Sequence, residues 1–502
     1  MASLEILLGT AAAVVLAGVL AVRVSVRLGL PSLLLYLGIG VVLGESVLGI
    51  RFSDAPLTES LGLAALVLIL AEGGLTTRWD AVRPALGLAV SLSTVAVLVS
   101  VGVVGAGLHF LLDLDWRTAL LWGAVLSSTD AAAVFSVLRG VGVGKRLAGA
   151  LELESGMNDA PVVIAVLLLA SGDPLTWLTP LLVVYELVAG GAIGMLLGLG
   201  GAWALRRAAL PATGLYPLAA LAVCVLAFAT GQLAHASGLL ATYVGALVLG
   251  NADLPHRAGV RSFAEGTGWL AQIGLFVLLG LYVSPPRLLD AVVPALVAGL
   301  VLLVAARPLS VLVATVAFRM PWREQAFLSW AGLRGAVPIV LALVALTEGA
   351  PGATALVDAV FVLVVLLTLL QGTTLPAVAR ILRVAQPAEA HELEVDAAPL
   401  DELGADLLQV RVPVGSRLQG VYLQELRLPR GATVSLVVRD DEAFTPGPDT
   451  RLRERDQLLV VATARARSAA EERIRAVDAR GRLARWSGSR GSGKPPSGPV
   501  RA

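Results

Sequence analysis

Apolar positions in this chain fall into long unbroken runs and not into stripes of three or four. Such runs lie near residues 3–22, 31–49, 58–76, 84–112, 116–138, 149–170, 178–205, 214–234, 237–250, 263–283, 290–318, 324–346 and 354–379. A helix needs on the order of 20 such residues to cross about 30 Å of hydrocarbon, so the pattern predicts about thirteen membrane-spanning helices. The first run is kept as a span because MASLEILLG carries Glu5 and no basic residue where a cleaved signal would be positive. After about residue 384 the pattern changes. QPAEAHELEVDAAPLDELGA is acidic and alanine-rich, and beyond it alternation replaces the long runs. DLLQVRVP, ATVSLVVRD and DQLLVVAT read as strands, VYLQELRLP as a short helix and RSAAEERIRAV as an amphipathic helix. The expected organisation is a membrane domain over 1–384, a linker over 385–399, a small α+β domain over 400–477, and a basic Gly-, Ser- and Pro-rich tail over 478–502 that composition predicts to be disordered.

Two spans are interrupted. The fifth contains polar LSSTD around Ser127 to Asp130, and the twelfth contains GLRGAVP from Gly332 to Pro338. Paired broken helices in two halves point to a transporter built from inverted repeats, with its site near the midplane. The expectation is an all-α polytopic membrane protein of this kind, carrying a small α+β cytoplasmic domain.

Charge then orients the chain. Loops after odd-numbered spans hold Arg23, Arg27, Arg78, Arg83, Arg139, Lys145, Arg146, Arg206, Arg207, Arg257, Arg261, Arg319 and Arg323, whereas loops after even-numbered spans hold only Arg51, Arg117 and Arg287. Positive residues stay inside, so the C-terminus is expected in the cytoplasm and the N-terminus outside. Composition agrees with a membrane protein: 57% hydrophobic, 15% charged and a mean hydropathy of +0.82 exclude an ordinary soluble domain and a disordered chain. A net charge of +1 gives no reason to expect nucleic acid. One cysteine, Cys224, excludes an intrachain disulfide.

Against this apolar background Asp130, Glu154 and Asp159 need a reason, because carboxylates at membrane depth mark ion paths, proton relays or pairing partners. Ser155 and Asp159 share one face of the sixth helix, Glu154 and Asn158 the adjacent face. Asp130 from the broken fifth helix is placed to join the first pair. Carboxylates, a hydroxyl, an amide oxygen and freed carbonyls make an alkali-cation shell. Empty, the same carboxylates repel one another and take up protons. Cation and proton then compete for one site, which with alternating exposure suffices for exchange. No GxxxxGK[ST] loop for ATP is present. Glu154 either ligates the cation or, as the preferred reading, pairs with Arg334 and so neutralises both at depth, and Arg307 either contacts carbonyls at a helix break or takes part in transport. Glu72 reads as a carboxylate near the cytoplasmic end of the third helix, either solvated or part of the path, and His235 and His256 as surface histidines or, for one of them, a pH sensor.

Together, SSTD at 127–130, ESGMNDAP at 154–161 and GLRGAVP at 332–338 resemble the NhaP-type branch of the monovalent cation/proton antiporters. The resemblance covers about residues 1–384. It implies a NhaA-like fold, a homodimer, and fifth and twelfth helices that unwind and cross beside the ion. It further implies an elevator-like motion and ion ligands at Asp130, Ser155 and Asp159 with the main chain of Thr129. Asn158 with Asp159 resembles electroneutral members that exchange one cation for one proton, and Glu154 and Arg334 match an acid and arginine that stabilise the core. Many members have proline after the Thr-Asp pair where this chain has Ala131. That feature, with the C-terminal domain, is similar to the potassium/proton subgroup. VPVGSRLQGVYLQEL and VVRDDEAFTPGPDTRLRERDQLLVV resemble the C-terminal lobe of potassium-transport RCK proteins (TrkA-C), which implies pairing and a small regulatory ligand of nucleotide type.

The resulting expectation is a multi-pass potassium/proton antiporter of a bacterial inner membrane, without a cofactor. A sodium/proton antiporter is the nearest rival. A gated cation channel lacks a TVGYG-type filter, and an intramembrane aspartyl protease using Asp130 and Asp159 fits the neighbouring Ser155 and Asn158 less well.

Overall fold

The computed structural model describes residues 4–28, 30–45, 49, 52–130, 143–174, 176–385, 395–400, 405–413, 416–440, 442–463 and 465–481. Two compact units divide the chain, Met1–Gln386 and Pro387–Ala502.

Helix is present in every predicted run of the first unit, among the described residues. In chain order these are α1 (Leu4–Leu28), α2 (Ser32–Leu43), α3 (Ala55–Thr76), α4 (Trp79–Leu112), α5 (Trp116–Ser127), α6 (Lys145–Ala170), α7 (Thr179–Arg207), α8 (Leu215–Leu233), α9 (Gly238–Asn251), α10 (Arg257–Tyr282), α11 (Pro285–Phe318), a broken α12 (Trp322–Ala331 then Ala336–Thr347) and α13 (Ala353–Ile381). Among the described residues, nine of these are long and apolar enough to span a membrane alone, and the halves of α12, bent by 55°, make a tenth span together. α2 and α9 are shorter apolar helices. The second half of the fifth predicted run, with Ala131, falls in 131–142 and lies outside the described residues.

Local chemistry sets the starts. Asp54 and Asp115 cap α3 and α5 by accepting the Leu57 amide at 2.9 Å and the Thr118 amide at 3.0 Å. Packing sorts the helices into two bundles: α1–α3 with α7–α10, and α4–α6 with α11–α13. Small residues permit the closest crossings. At Gly40 of α2 and Gly280 of α10 the backbones meet so tightly that a Cβ on Gly40 would lie 2.8 Å from the Gly280 Cα. In the second bundle, α4 and α11 each widen by one π turn, at Leu92–Ala96 and Leu302–Ala306. Such turns often accompany functional sites.

The second unit is one antiparallel sheet of β1 (Val395–Leu400), β2 (Ala405–Arg411), β3 (Ala432–Arg439), β4 (Glu442–Phe444) and β5 (Gln457–Thr463), in the order β1-β2-β5-β3-β4. Short α14 (Leu423–Leu426) precedes β3, and α15 (Arg467–Arg480) follows β5. Alternation puts Leu408, Val410, Leu458, Val460 and Ala462 into a core closed by Leu426, Ala470, Ile474 and Val477. Two boundaries shift from the sequence reading. β1 forms inside the segment read as linker, and α15 continues to Arg480, past the expected start of the tail at 478. VDAAPL lacks alternation, so only its backbone pairing with β2 reveals the strand. The rest of the expected tail, 482–502, lies outside the described residues.

Candidate functional site at the crossing of α5, α6 and α12

α5 stops because Ser128 turns extended, at φ −64° and ψ 142°. The freed segment aims its side chains at α6. Ser128 donates its hydroxyl to Asp159 Oδ1 at 2.7 Å. Thr129 Oγ1 accepts from Asn158 Nδ2 at 2.5 Å and lies 3.3 Å from Ser155 Oγ. Every one of these residues except Asp130 is buried, Asp159 to 4% exposure. The sequence-predicted ligands Thr129, Asp130, Ser155 and Asp159 thus come together, with Asn158 fastening the break through the Thr129 side chain.

α12 breaks at GLRG, and lipid offers its freed backbone groups nothing. They are answered from four directions. Thr368 and Gln371 of α13 donate to the carbonyls of Arg334 at 3.0 Å and Trp330 at 2.9 Å. Arg307 of α11 donates to the Leu328 carbonyl at 3.1 Å, and Arg334 to that of Gly332 at 3.2 Å. The Asp130 amide donates to the Leu333 carbonyl at 3.0 Å, tying the segment after α5 to the α12 break. Both glycines serve as floors for side chains. A Cβ on Gly335 would overlap the Asp130 carboxylate, and one on Gly332 would lie 2.5 to 2.6 Å from the Arg307 guanidinium.

One pairing differs from expectation. Glu154 Oε1 bridges to Arg307 at 3.0 Å, not to Arg334. Arg307 leaves α11 directly after its π turn and reaches inward, while Arg334 is occupied by its own break. The π turn of α4 approaches the same point, where Ser93 donates to the Glu154 carbonyl at 3.2 Å. Glu154 Oε2, Arg307 Nε and Arg334 Nε and Nη2 are buried without a hydrogen-bond partner among the described residues. Glu154 therefore faces α4 and α11, in a cluster with Arg307 and Ser93.

From Asp130 and Asp159 a cavity of about 340 Å³ opens between the bundles toward Thr76 and Thr77 at the end of α3 that precedes Arg78. Glu72 is half-buried on its wall, joined by Glu152, Tyr243, Glu265 and Gln272. Sequence reading passed over Ser128 and Glu152. Ser128 sits in the quoted SSTD, and Glu152 stands seven residues before Asp159, which returns it to the same helix face. The two histidines stand outside this site: His235 is exposed and His256 half-buried, both left-handed beside helix ends.

An all-oxygen donor set with two carboxylates suits a hard monovalent cation. Residues 11–381 match the family model described as "Sodium/hydrogen exchanger, transmembrane", and residues 407–475 match "TrkA-C domain". The chain is 36% identical over 457 residues to the K(+)/H(+) antiporter NhaP of Alkalimonas amylolytica, covering 89% of this chain and 79% of that protein. It is 34% identical over 449 residues to the K(+)/H(+) antiporter NhaP2 of Shewanella baltica, covering 87% and 77%. The fold resembles that of the sodium proton antiporter MjNhaP1 from Methanocaldococcus jannaschii at pH 8, with a TM-score of 0.68 at 21% identity, covering 76% of this chain and all of that one.

Proposed function

The chain belongs to the sodium/hydrogen exchanger family of membrane antiporters, and from that premise we propose that it exchanges potassium for protons, one for one, at Asp159 and Asp130. The observation that carries this reading is the joining of the α5 break to α6: Ser128 on Asp159, and Thr129 on Asn158 and Ser155, in a buried pocket open to one cavity. A cation there is held by the two carboxylates and the hydroxyls of Thr129 and Ser155. When it leaves, two carboxylates in a low-dielectric pocket are charged and repelling, and protonation relieves both. Asn158 in place of a further carboxylate removes one titrating charge, which favours an electroneutral exchange. Potassium is preferred because relatives named K(+)/H(+) antiporter align across both units.

The α4–α6 and α11–α13 bundle moves against the other bundle to expose the pocket alternately. The chain works as a homodimer in a bacterial inner membrane, with the N-terminus outside and the TrkA-C lobe in the cytoplasm, where a small ligand adjusts activity. Glu154, Arg307 and Arg334 hold the moving bundle together.

Proteoliposomes with an imposed pH gradient test this. Addition of potassium is expected to dissipate the gradient, and clamping the membrane potential to leave the rate unchanged. A response to sodium alone replaces potassium with sodium as the cargo, and potassium flux driven by voltage without proton movement overturns the antiport reading. Asp159→Asn is expected to abolish exchange while the protein stays folded, and full transport by that variant removes the site assignment.

A further inference from the structure

Glu152 lies on the α6 face that carries Ser155 and Asp159 and lines the same cavity. Two turns separate it from Asp159, a rise of about 10.5 Å. Its Oε1 meets the hydroxyl of Thr77, the residue that ends α3. That hydroxyl also lies 2.7 Å from the Gly73 carbonyl oxygen. A hydroxyl has one proton to donate and lone pairs with which to accept. When Thr77 donates to Gly73, its contact with Glu152 requires a proton on the carboxyl group. When Glu152 is ionised, Thr77 must turn its proton to the carboxylate instead. Gly73 tolerates the change, because its carbonyl also accepts the Thr77 amide at 3.0 Å.

The first arrangement holds a proton between two oxygens, one from a carboxyl and one from a hydroxyl lone pair. A monovalent cation in place of that proton meets the same two oxygens. Glu72 of α3 and Glu265 of α10, the latter facing Arg261, line the same cavity, as does Asp159, and Tyr243 of α9 packs its ring against Gly156. Arg78 follows Thr77 in the chain.

We propose that Glu152 and Thr77 form an outer exchange station, where a proton and a monovalent cation replace one another on the way to Asp159. This rests on Asp159 and Asp130 being the inner site. The two residues sit on different bundles, so occupancy of the station also governs whether α3 and α6 are joined there. Movement of α6 past α3 must part them.

The test uses the full-length protein in vesicles of defined orientation, with KM and kcat for potassium, or for sodium if that is the ion carried, measured from each face across pH. Glu152→Gln and Thr77→Val are expected to raise KM roughly tenfold at the face beside Thr77 and to leave KM at the opposite face unchanged. Glu152→Gln is expected in addition to flatten the dependence of that KM on pH. Wild-type KM and pH profile at both faces in Glu152→Gln overturn the station. Should that variant fail to fold, Thr77→Val decides, since it removes the hydroxyl and keeps the carboxylate. Asp159→Asn separates the two readings: exchange that survives in it rejects the inner site, whereas exchange lost in it beside a wild-type Glu152→Gln rejects the station alone.

Discussion

Two arginine–carboxylate pairs in this molecule, each with a buried carboxylate, are built to different standards. In the second unit's lobe, Arg439 forks onto Asp456 with both bonds at 2.8 Å, and Asp456 also accepts the Arg453 amide at 2.7 Å. The Asp456 carboxylate in turn holds the Arg439 guanidinium proton more tightly than water does. In the membrane unit, Arg307 reaches Glu154 through one bond of 3.0 Å, and atoms on Glu154, Arg307 and Arg334 stay without a partner among the described residues. Burying a charge costs heavily unless its bonds are complete. The lobe pair is therefore a finished fastener. The membrane cluster retains bonding capacity beside the end of α5 and the break in α12. Good geometry accompanies permanence, and incomplete geometry accompanies the part proposed to move.

Mutations break this comparison in graded steps. Glu154→Ala strands Arg307 at 3% exposure, with an expected loss of about 3 to 5 kcal/mol. Thermal unfolding in detergent measures it, and an unchanged midpoint rejects the fastening role. Gly335→Ala acts on position instead of charge. Its methyl must push the Asp130 carboxylate aside, and a misplacement of about 1 Å is expected to lower exchange roughly a hundredfold with folding retained. Wild-type flux in that variant means that Asp130 finds its place without the glycine floor.

Asp456→Ala removes the fork and leaves the Arg453 amide unpaired, costing about 2 kcal/mol. Limited proteolysis of the full chain is expected to show the lobe opening while basal exchange persists. Smallest in effect on exchange is a truncation from residue 390. The membrane unit is compact by itself, so flux is expected to continue with an altered dependence on pH or ligand. Loss of folding on truncation makes the lobe structural.

The helical runs, the break of the twelfth and the polar residues that line the cavity were legible in the amino-acid pattern, because hydrocarbon imposes a length on every crossing and a reason on every charge. Asp130, Ser155 and Asp159 are conspicuous in a chain that is 57% hydrophobic, and the alternation of β2 and β5 marks the lobe core. Tertiary structure alone decided who meets whom. Glu154 had two buried arginines within plausible reach, Arg307 and Arg334, distant in the chain, and the choice followed from the π turn of α11 and from the demand of the α12 break. Ser128 and Glu152 carry no signal except spacing until α5 and α3 are set against α6. β1 is invisible in VDAAPL because its evidence is backbone pairing with β2. Periodicity and hydropathy are properties of one element, whereas a hydrogen bond needs two, and only folding brings the second within about 3 Å.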